Sequence, residues 1–137
     1  PKGYCYVHHR YSLQDVEEKQ ALYPGYTLMV HPESPLEVLE KADIVTSTSG
    51  MIRYVKEKNC RKAIVGTEIG LIHQLRKIHA DGEYIPLSDK AICQNMKKTQ
   101  MENLYRALKE GIHEVRLDEE TMDKARISLE RMITGKL

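Results

Sequence analysis

The chain has 137 residues, 41% of them hydrophobic, which suits one domain of ordinary size with a packed core, or one domain and part of another. Its formal net charge of +1 gives no electrostatic sign of a nucleic-acid partner. No apolar run reaches the roughly eighteen residues of a membrane span, so we expect neither a membrane nor a nucleic-acid partner.

The first residues contain no signal-peptide segment and no initiator Met, so we expect the chain to be a fragment of a longer one. Its three cysteines, Cys5, Cys60 and Cys93, are odd in number and far apart, which makes a poor disulfide framework. We therefore expect free or metal-bound thiols in a reducing, cytoplasmic compartment.

Short apolar segments alternate with helical patterns over the first two thirds of the chain. Strands are predicted at residues 4–7, 27–30, 43–46, 62–66 and 84–87, the last at a sheet edge because it contains a proline. This alternation is typical of the α/β class, and we expect an αβα three-layer sandwich with a short, mostly parallel sheet.

Helix starts are marked by capping residues. Ser34 is predicted to cap a helix that has Pro35 at its first position, and Asp118 to cap the last helix. Thr99 and Glu102 have the spacing of a capping box.

Beyond residue 88 the pattern becomes helical, which divides the chain into residues 1–88 and 89–137. One helix there carries an apolar stripe, and the final helix is expected to turn four residues inward. The stripe is Met101, Leu104, Tyr105 and Leu108, and the inward set is Met122, Ala125, Leu129 and Met132.

Two titratable side chains, His31 and Glu33, flank Pro32 directly after the predicted strand 27–30. Strand-to-helix junctions of a parallel sheet share one edge, where ligands bind. A histidine and a carboxylate there suit proton transfer to and from a carbonyl or imine substrate. The alternative is an ordinary loop histidine beside an exposed glutamate.

Hydroxyl-rich residues follow the predicted strand 43–46. Ser47, Thr48 and Ser49 precede Gly50 at the start of a helix, where free N–H groups and hydroxyls suit a phosphate or a carboxylate. Simple N-capping is the alternative. In the similar segment 66–70 the glycines would permit the close approach of a ligand, and capping with a tight turn is the alternative that we favour.

The thiols are the remaining candidates for chemistry. Cys5 and Cys93 suit zinc or an iron–sulfur cluster, although a lone buried cysteine is commonly a small hydrophobe. Cys60 follows a helix and precedes a strand, at the sheet end opposite the expected ligand edge, so we assign it no role. His8 is a candidate general base, and the alternative is an ordinary histidine in a solvated loop.

Five segments, at residues 3–8, 30–33, 47–51, 66–68 and 93–98, resemble motifs of the quinolinate synthase family in the same order and spacing. The resemblance covers nearly the whole chain. It implies that residues 1–88 are the third of three similar αβα domains in a pseudo-symmetric enzyme, and that residues 89–137 are a tail that returns to the first domain. The domains N-terminal to this segment are then absent, and would be its partners.

The resemblance also implies an activity. Quinolinate synthases are transferases that condense iminoaspartate with dihydroxyacetone phosphate, releasing phosphate and water, to make quinolinate for NAD biosynthesis. They use a [4Fe–4S] cluster held by three cysteines, and its open iron acts as a Lewis acid on substrate oxygen.

Matching the family motifs assigns residues to roles. Cys5 and Cys93 match two cluster ligands, and the third falls in the absent N-terminal part, so we expect the isolated chain to be inactive. The pair His31 and Glu33 matches the substrate-contacting, proton-transferring residues, with Pro32 as a further substrate contact. Ser47 and Thr48 match hydroxyls that bind substrate carboxylate or phosphate. Gln94 departs from the family, which more often has proline there.

Two other functions compete with this hypothesis. One is a non-catalytic Rossmann-like module that binds a phosphorylated metabolite at residues 47–50. The other, an iron–sulfur electron carrier, is disfavoured because two widely separated thiolates do not resemble a ferredoxin motif.

Overall fold

A computed structural model describes residues 4–135 of the chain. Within them, a four-stranded parallel sheet has the order β2-β1-β3-β4. The strands are β1 (Thr27–Val30), β2 (Ile44–Val45), β3 (Lys62–Gly66) and β4 (Glu83–Pro86). The helices of this part are α1 (Leu13–Leu22), α2 (Leu36–Leu39), α3 (Thr48–Glu57) and α4 (Gly70–Ile78). The predicted α/β class and parallel sheet are confirmed, with β4 at an edge as its proline indicated.

Alternate residues of the central strands β1 and β3 bury opposite faces of the sheet. One core cluster joins these strands to α1 and α2, and a second joins them to α3 and α4, so the sheet lies between two helical layers. The first cluster includes Val16, Leu28, Val30, Val38 and Ile64. The second includes Met29, Met51, Val55, Ala63, Val65, Ile72 and Leu75. Burial on both faces explains why both central strands are continuous apolar runs.

The carboxyl ends of the central strands are close together. Val30 of β1 pairs with Gly66 of β3, and a Cβ atom at Gly66 would lie 3.1 Å from Val30 Cγ2 and 3.2 Å from Leu87 Cδ2. Both distances are shorter than ordinary van der Waals contact. The packing of the neighbouring segments therefore favours glycine at this position.

The predicted strand at residues 4–7 is wrong. The N–H of His8 donates to the Cys5 carbonyl at 3.1 Å and that of Arg10 to the Val7 carbonyl at 3.2 Å, so the segment turns into a short 3₁₀ helix, His8–Arg10. Val7 is nevertheless buried in the core. A four-residue apolar run cannot distinguish a strand from a buried turn, because both bury apolar side chains.

Two of the predicted caps are also wrong. α2 has four residues and begins after Pro35, and the Ser34 hydroxyl is buried with no hydrogen-bond partner among the described residues. The helix α5 (Met101–Glu110) begins after Gln100 without a side-chain capping bond, so Thr99 is not its cap. The Asp118 cap of α6 (Glu119–Thr134) is confirmed, since its Oδ1 accepts the Thr121 N–H at 2.8 Å.

The chain forms two compact units, one ending at Met96 and the other beginning at Lys97. Residues just beyond 88 belong to the first unit, because Ala91 is buried and its carbonyl accepts the Ile69 N–H at 3.0 Å. The assignment of residues 1–88 and 89–137 to family domains stays a prediction.

The second unit contains α5 and α6, and neither helix has a buried residue. The side chains that we expected to face inward are exposed among the described residues: Met122, Ala125, Leu129 and Met132. Our expectation from the sequence that these helices pack on a neighbouring domain stays a prediction. Within the second unit, α5 and α6 do not bury each other's apolar side chains. No helix of the described residues is long and apolar enough to cross a membrane.

We expect Leu75→Ala to lower the free energy of unfolding by about 2–5 kcal/mol, because this fully buried α4 side chain fills the second core cluster. Urea unfolding followed by circular dichroism measures the change. The matched control is Leu22→Ala in α1, where the side chain is 70% exposed and the change should stay within about 0.5 kcal/mol. Equal losses in the two variants would contradict the observed packing.

Candidate functional site

The candidate site lies where the parallel strands end. His31 follows β1, and its N–H donates to the Gly66 carbonyl of β3 at 3.0 Å. On the other side of β1, the N–H of Thr46 donates to the Val30 carbonyl at 3.1 Å. The three loops that follow β1, β2 and β3 are therefore held next to one another at the edge of the sheet formed by the carboxyl ends of the strands.

Three titratable side chains meet at this edge. The Glu33 carboxylate lies 3.0 Å from His8 Nδ1 and 3.5 Å from His31 Nδ1, both measured to Oε2. The two imidazole rings stack with their centroids 3.9 Å apart and an interplanar angle of 13°. The predicted pair His31 and Glu33 is thus brought together, with His8 as an additional member.

Both ring nitrogens of the buried His8 have partners. Nδ1 faces Glu33, and Nε2 lies 2.9 Å from the hydroxyl of Thr67, which is 1% exposed. The Thr67 carbonyl in turn accepts a hydrogen bond of 2.7 Å from the Tyr11 hydroxyl. A continuous series of hydrogen bonds therefore runs from the core to the Glu33 carboxylate.

The environment of His31 favours the neutral form of its ring. Burial and the adjacent His8 ring lower the pKa of His31, and Glu33 opposes them more weakly. His31 Nδ1 accepts the Glu33 backbone N–H at 3.3 Å, so in the neutral ring the proton lies on Nε2. His31 can therefore exchange a proton through Nε2.

Cys5 lies beside this group. Its sulfur and one ligand atom each of His8 and Glu33 all lie within 4.8 Å of one another, and such a mixed donor set is one that zinc accepts. Cys93 packs against the same core cluster as Cys5, and the Gln94 N–H donates to the Tyr6 hydroxyl at 2.8 Å. The segments that carry these two thiols are thus neighbours.

Cys60 lies at the other end of the sheet. It precedes β3, and its thiol is 3.8 Å from the hydroxyl of Thr27, the first residue of β1. Since the strands are parallel, their amino and carboxyl ends lie on opposite edges. Cys60 is separated from Cys5 by the length of the sheet.

Ser47 and Thr48 lie at the start of α3. The Ser47 hydroxyl accepts the Gly50 N–H at 3.2 Å as an N-cap, and Thr48 is the first helical residue. Both are exposed. Ser47 also lines an open cleft of ≈ 280 Å³ together with Thr46 and Arg53. N-capping therefore explains the hydrogen bond from the Gly50 N–H to Ser47, but it does not explain why Ser47 also lines a cleft.

The sequence left the role of His8 open and gave Thr67 none, although two signals pointed to them. His8 follows a Gly-Tyr and apolar segment, as His31 does, and Thr67 directly follows β3 as His31 directly follows β1. In the fold, the His8 and His31 rings stack on each other. The loops that begin with His31 and Thr67 lie at the same edge of the sheet.

Comparisons with known proteins show the family of the chain. The family model described as Quinolinate synthetase A protein matches residues 1–134. The chain belongs to the quinolinate synthase family. Relatives named quinolinate synthase are 40% identical in Alkaliphilus metalliredigens over 98% of this chain, and 42% identical in Methanoregula boonei over 96% of it. A third, from Thermococcus onnurineus, is 40% identical over 96% of the chain.

The chain spans less than half the length of these quinolinate synthases. The aligned part covers 45% of the Alkaliphilus protein, 43% of the Thermococcus protein and 44% of the Methanoregula protein. The site described above is therefore one region of a longer family architecture.

We expect Tyr11→Phe to lower the free energy of unfolding at neutral pH by about 0.5–1.5 kcal/mol, because the Thr67 carbonyl loses its donor. Burial, followed by the charges of Glu68, Cys5 and Asp15, raises the pKa of Tyr11. The folded chain thus keeps this proton after the unfolded chain has lost it, and wild-type stability should fall as the pH rises above about 10. The variant lacks this contribution, so the difference in the free energy of unfolding between wild type and Tyr11→Phe should become smaller above about pH 10. Urea unfolding across this pH range measures both effects.

Tyr105→Phe provides the control, because Tyr105 is 54% exposed and its hydroxyl is not part of this core. If the difference in the free energy of unfolding between wild type and Tyr11→Phe increased at alkaline pH, the assigned burial of the hydroxyl would be contradicted.

Proposed function

We propose that this chain supplies one wall of a quinolinate synthase active site, in which iminoaspartate and dihydroxyacetone phosphate condense to quinolinate with release of phosphate and water. The observation that carries the proposal is the group of His8, His31 and Glu33 at the sheet edge, with the Cys5 sulfur beside it. A proton-transferring pair next to a metal-binding thiol is the combination that such a condensation requires.

The pair His31 and Glu33 moves protons in this proposal. The Glu33 carboxylate accepts a proton from the substrate, and the neutral His31 ring exchanges one at Nε2. Their separation of 3.5 Å allows both to contact one substrate, and Pro32 between them restricts the backbone of the loop that carries them. The lowered pKa of His31 keeps its ring available as a base at neutral pH.

Ser47 and Thr48 bind the substrate carboxylate or phosphate in this proposal. They lie at the amino end of the ten-residue helix α3, where N–H groups and the helix dipole favour an anion. Arg53 adds a cation to the cleft that Ser47 lines. The exposure of both hydroxyls leaves them accessible to a ligand.

Cys5 and Cys93 would hold two irons of a [4Fe–4S] cluster, because both are free thiols on neighbouring segments against one core cluster. When bound, the cluster supplies a Lewis-acid iron. Two thiolates leave the ligand set incomplete, so a third cysteine comes from the family's N-terminal domains, which are the partners of this segment. The isolated chain is inactive on this proposal, and the complete enzyme is a cytoplasmic transferase of NAD biosynthesis.

In the full-length enzyme, Cys5→Ala and Cys93→Ala should each abolish the cluster, whereas Cys60→Ala should retain it. The first two remove thiolate ligands, and Cys60 lies at the opposite edge of the sheet. Anaerobic iron and sulfide analysis with visible absorption measures the cluster. Stoichiometric zinc that depends on Cys5 but not on Cys93 would instead assign a mononuclear site of Cys5, His8 and Glu33.

His31→Ala in the full-length enzyme should lower turnover about 10²–10⁴-fold with the cluster spectrum unchanged, because a positioned proton-transfer group is lost. Quinolinate formation from the two substrates is the assay. The matched control is His73→Ala, an exposed histidine in α4, which should leave turnover unchanged. Wild-type turnover in His31→Ala would remove the residue from the mechanism.

A metabolite-binding module without catalysis is the second candidate, and the cleft lined by Ser47 and Arg53 favours it. A full-length protein that binds dihydroxyacetone phosphate but contains no cluster and forms no quinolinate would establish it in place of the synthase.

A further inference from the structure

We propose that Thr67 and His8 are positioning residues that fix the orientation of the Glu33 carboxylate for proton transfer. This inference rests on the proposed function, because it assigns Thr67 and His8 to the step that Glu33 carries out. Neither residue needs to touch the substrate in this role.

Glu33 needs such support because of where it lies. It is in the loop between β1 and α2, and its side chain is 46% exposed, so the fold itself does not fix the carboxylate. The contact at 3.0 Å comes from His8, which is only 6% exposed and therefore has few alternative ring orientations. A buried group with both ring nitrogens hydrogen-bonded thus holds an exposed carboxylate.

The two partners of His8 are compatible with the same neutral tautomer of its ring. A carboxylate only accepts hydrogen bonds, so His8 Nδ1 must donate to Glu33. In the neutral ring, Nε2 is then an acceptor, and its neighbour at 2.9 Å, Thr67 Oγ1, donates to it. Thr67 therefore stabilises the tautomer that can bind Glu33.

Thr67 is itself held in place from two directions. It follows β3 directly after the closely packed Gly66, and its carbonyl accepts the Tyr11 hydroxyl at 2.7 Å. A valine at position 67 would preserve the shape of the side chain but remove the donor. The ring could then place its proton on Nε2, and Nδ1 would no longer donate to Glu33.

The test is Thr67→Val in the full-length enzyme. Misplacing a reacting group by about 1 Å can cost about 10²-fold, so kcat should fall about 10–100-fold with KM and cluster content nearly unchanged. Thr67→Ser, which keeps the hydroxyl, should recover most of the lost turnover. Thr27→Val makes the same chemical change at the opposite sheet edge and should have no effect.

A double variant distinguishes positioning from general destabilisation. If Thr67 acts through Glu33, Thr67→Val should cause no further loss of turnover in a Glu33→Gln background, because the group it positions is already gone. An equal loss in both backgrounds would overturn the proposal, as would wild-type kcat in Thr67→Val.

The tautomer can be measured without any assay of turnover. ¹⁵N NMR of the histidines in this chain should show His8 protonated at Nδ1, and Thr67→Val should shift the population toward Nε2. A wild-type ring protonated at Nε2 would overturn the inference even if quinolinate forms. The expected tautomer in a full-length protein that makes no quinolinate would refute the proposed function but retain the hydrogen-bond arrangement.

Discussion

The parallel pairing of β1 with β2 and β3 is the constraint on which the site depends. It brings Val30 level with Val45 on one side and with Gly66 on the other, so the three following loops begin at the same height. His31 and Thr67, which are far apart in sequence, then begin loops at the same end of the sheet. Reversing one strand would carry its loop to the edge where Cys60 lies.

Burial of His8 is the second requirement of this site. A buried imidazole costs free energy unless its nitrogens are hydrogen-bonded, and here both are, to Thr67 and Glu33. These hydrogen bonds offset the free-energy cost of burying His8, and the bond to Glu33 also holds the loop that carries this carboxylate. Stability and placement of the carboxylate are thus two consequences of one arrangement, which is why its test has to separate them.

Much of the first unit could be predicted from the sequence because local patterns determined it. The apolar runs at β1 and β3 and the polar junctions that follow them placed His31 and Glu33 at one sheet edge. The role of Thr67 could not be predicted in this way, since its partner His8 lies 59 residues earlier and on a turn that the pattern mistook for a strand. The cap predicted at Ser34 failed for a local reason, because Pro35 has an extended ψ of 145° and is itself the residue that precedes the helix.

Two independent features indicate that the described residues are only part of a functional unit. The candidate thiols Cys5 and Cys93 provide two ligands where the proposed cluster needs three, and α5 and α6 leave their apolar side chains exposed. The two features are physically distinct. The number of thiolates concerns the coordination of iron, and the exposed apolar side chains concern the hydrophobic effect. The relatives are more than twice as long as this chain, so both features fit a chain that is one region of a longer family architecture.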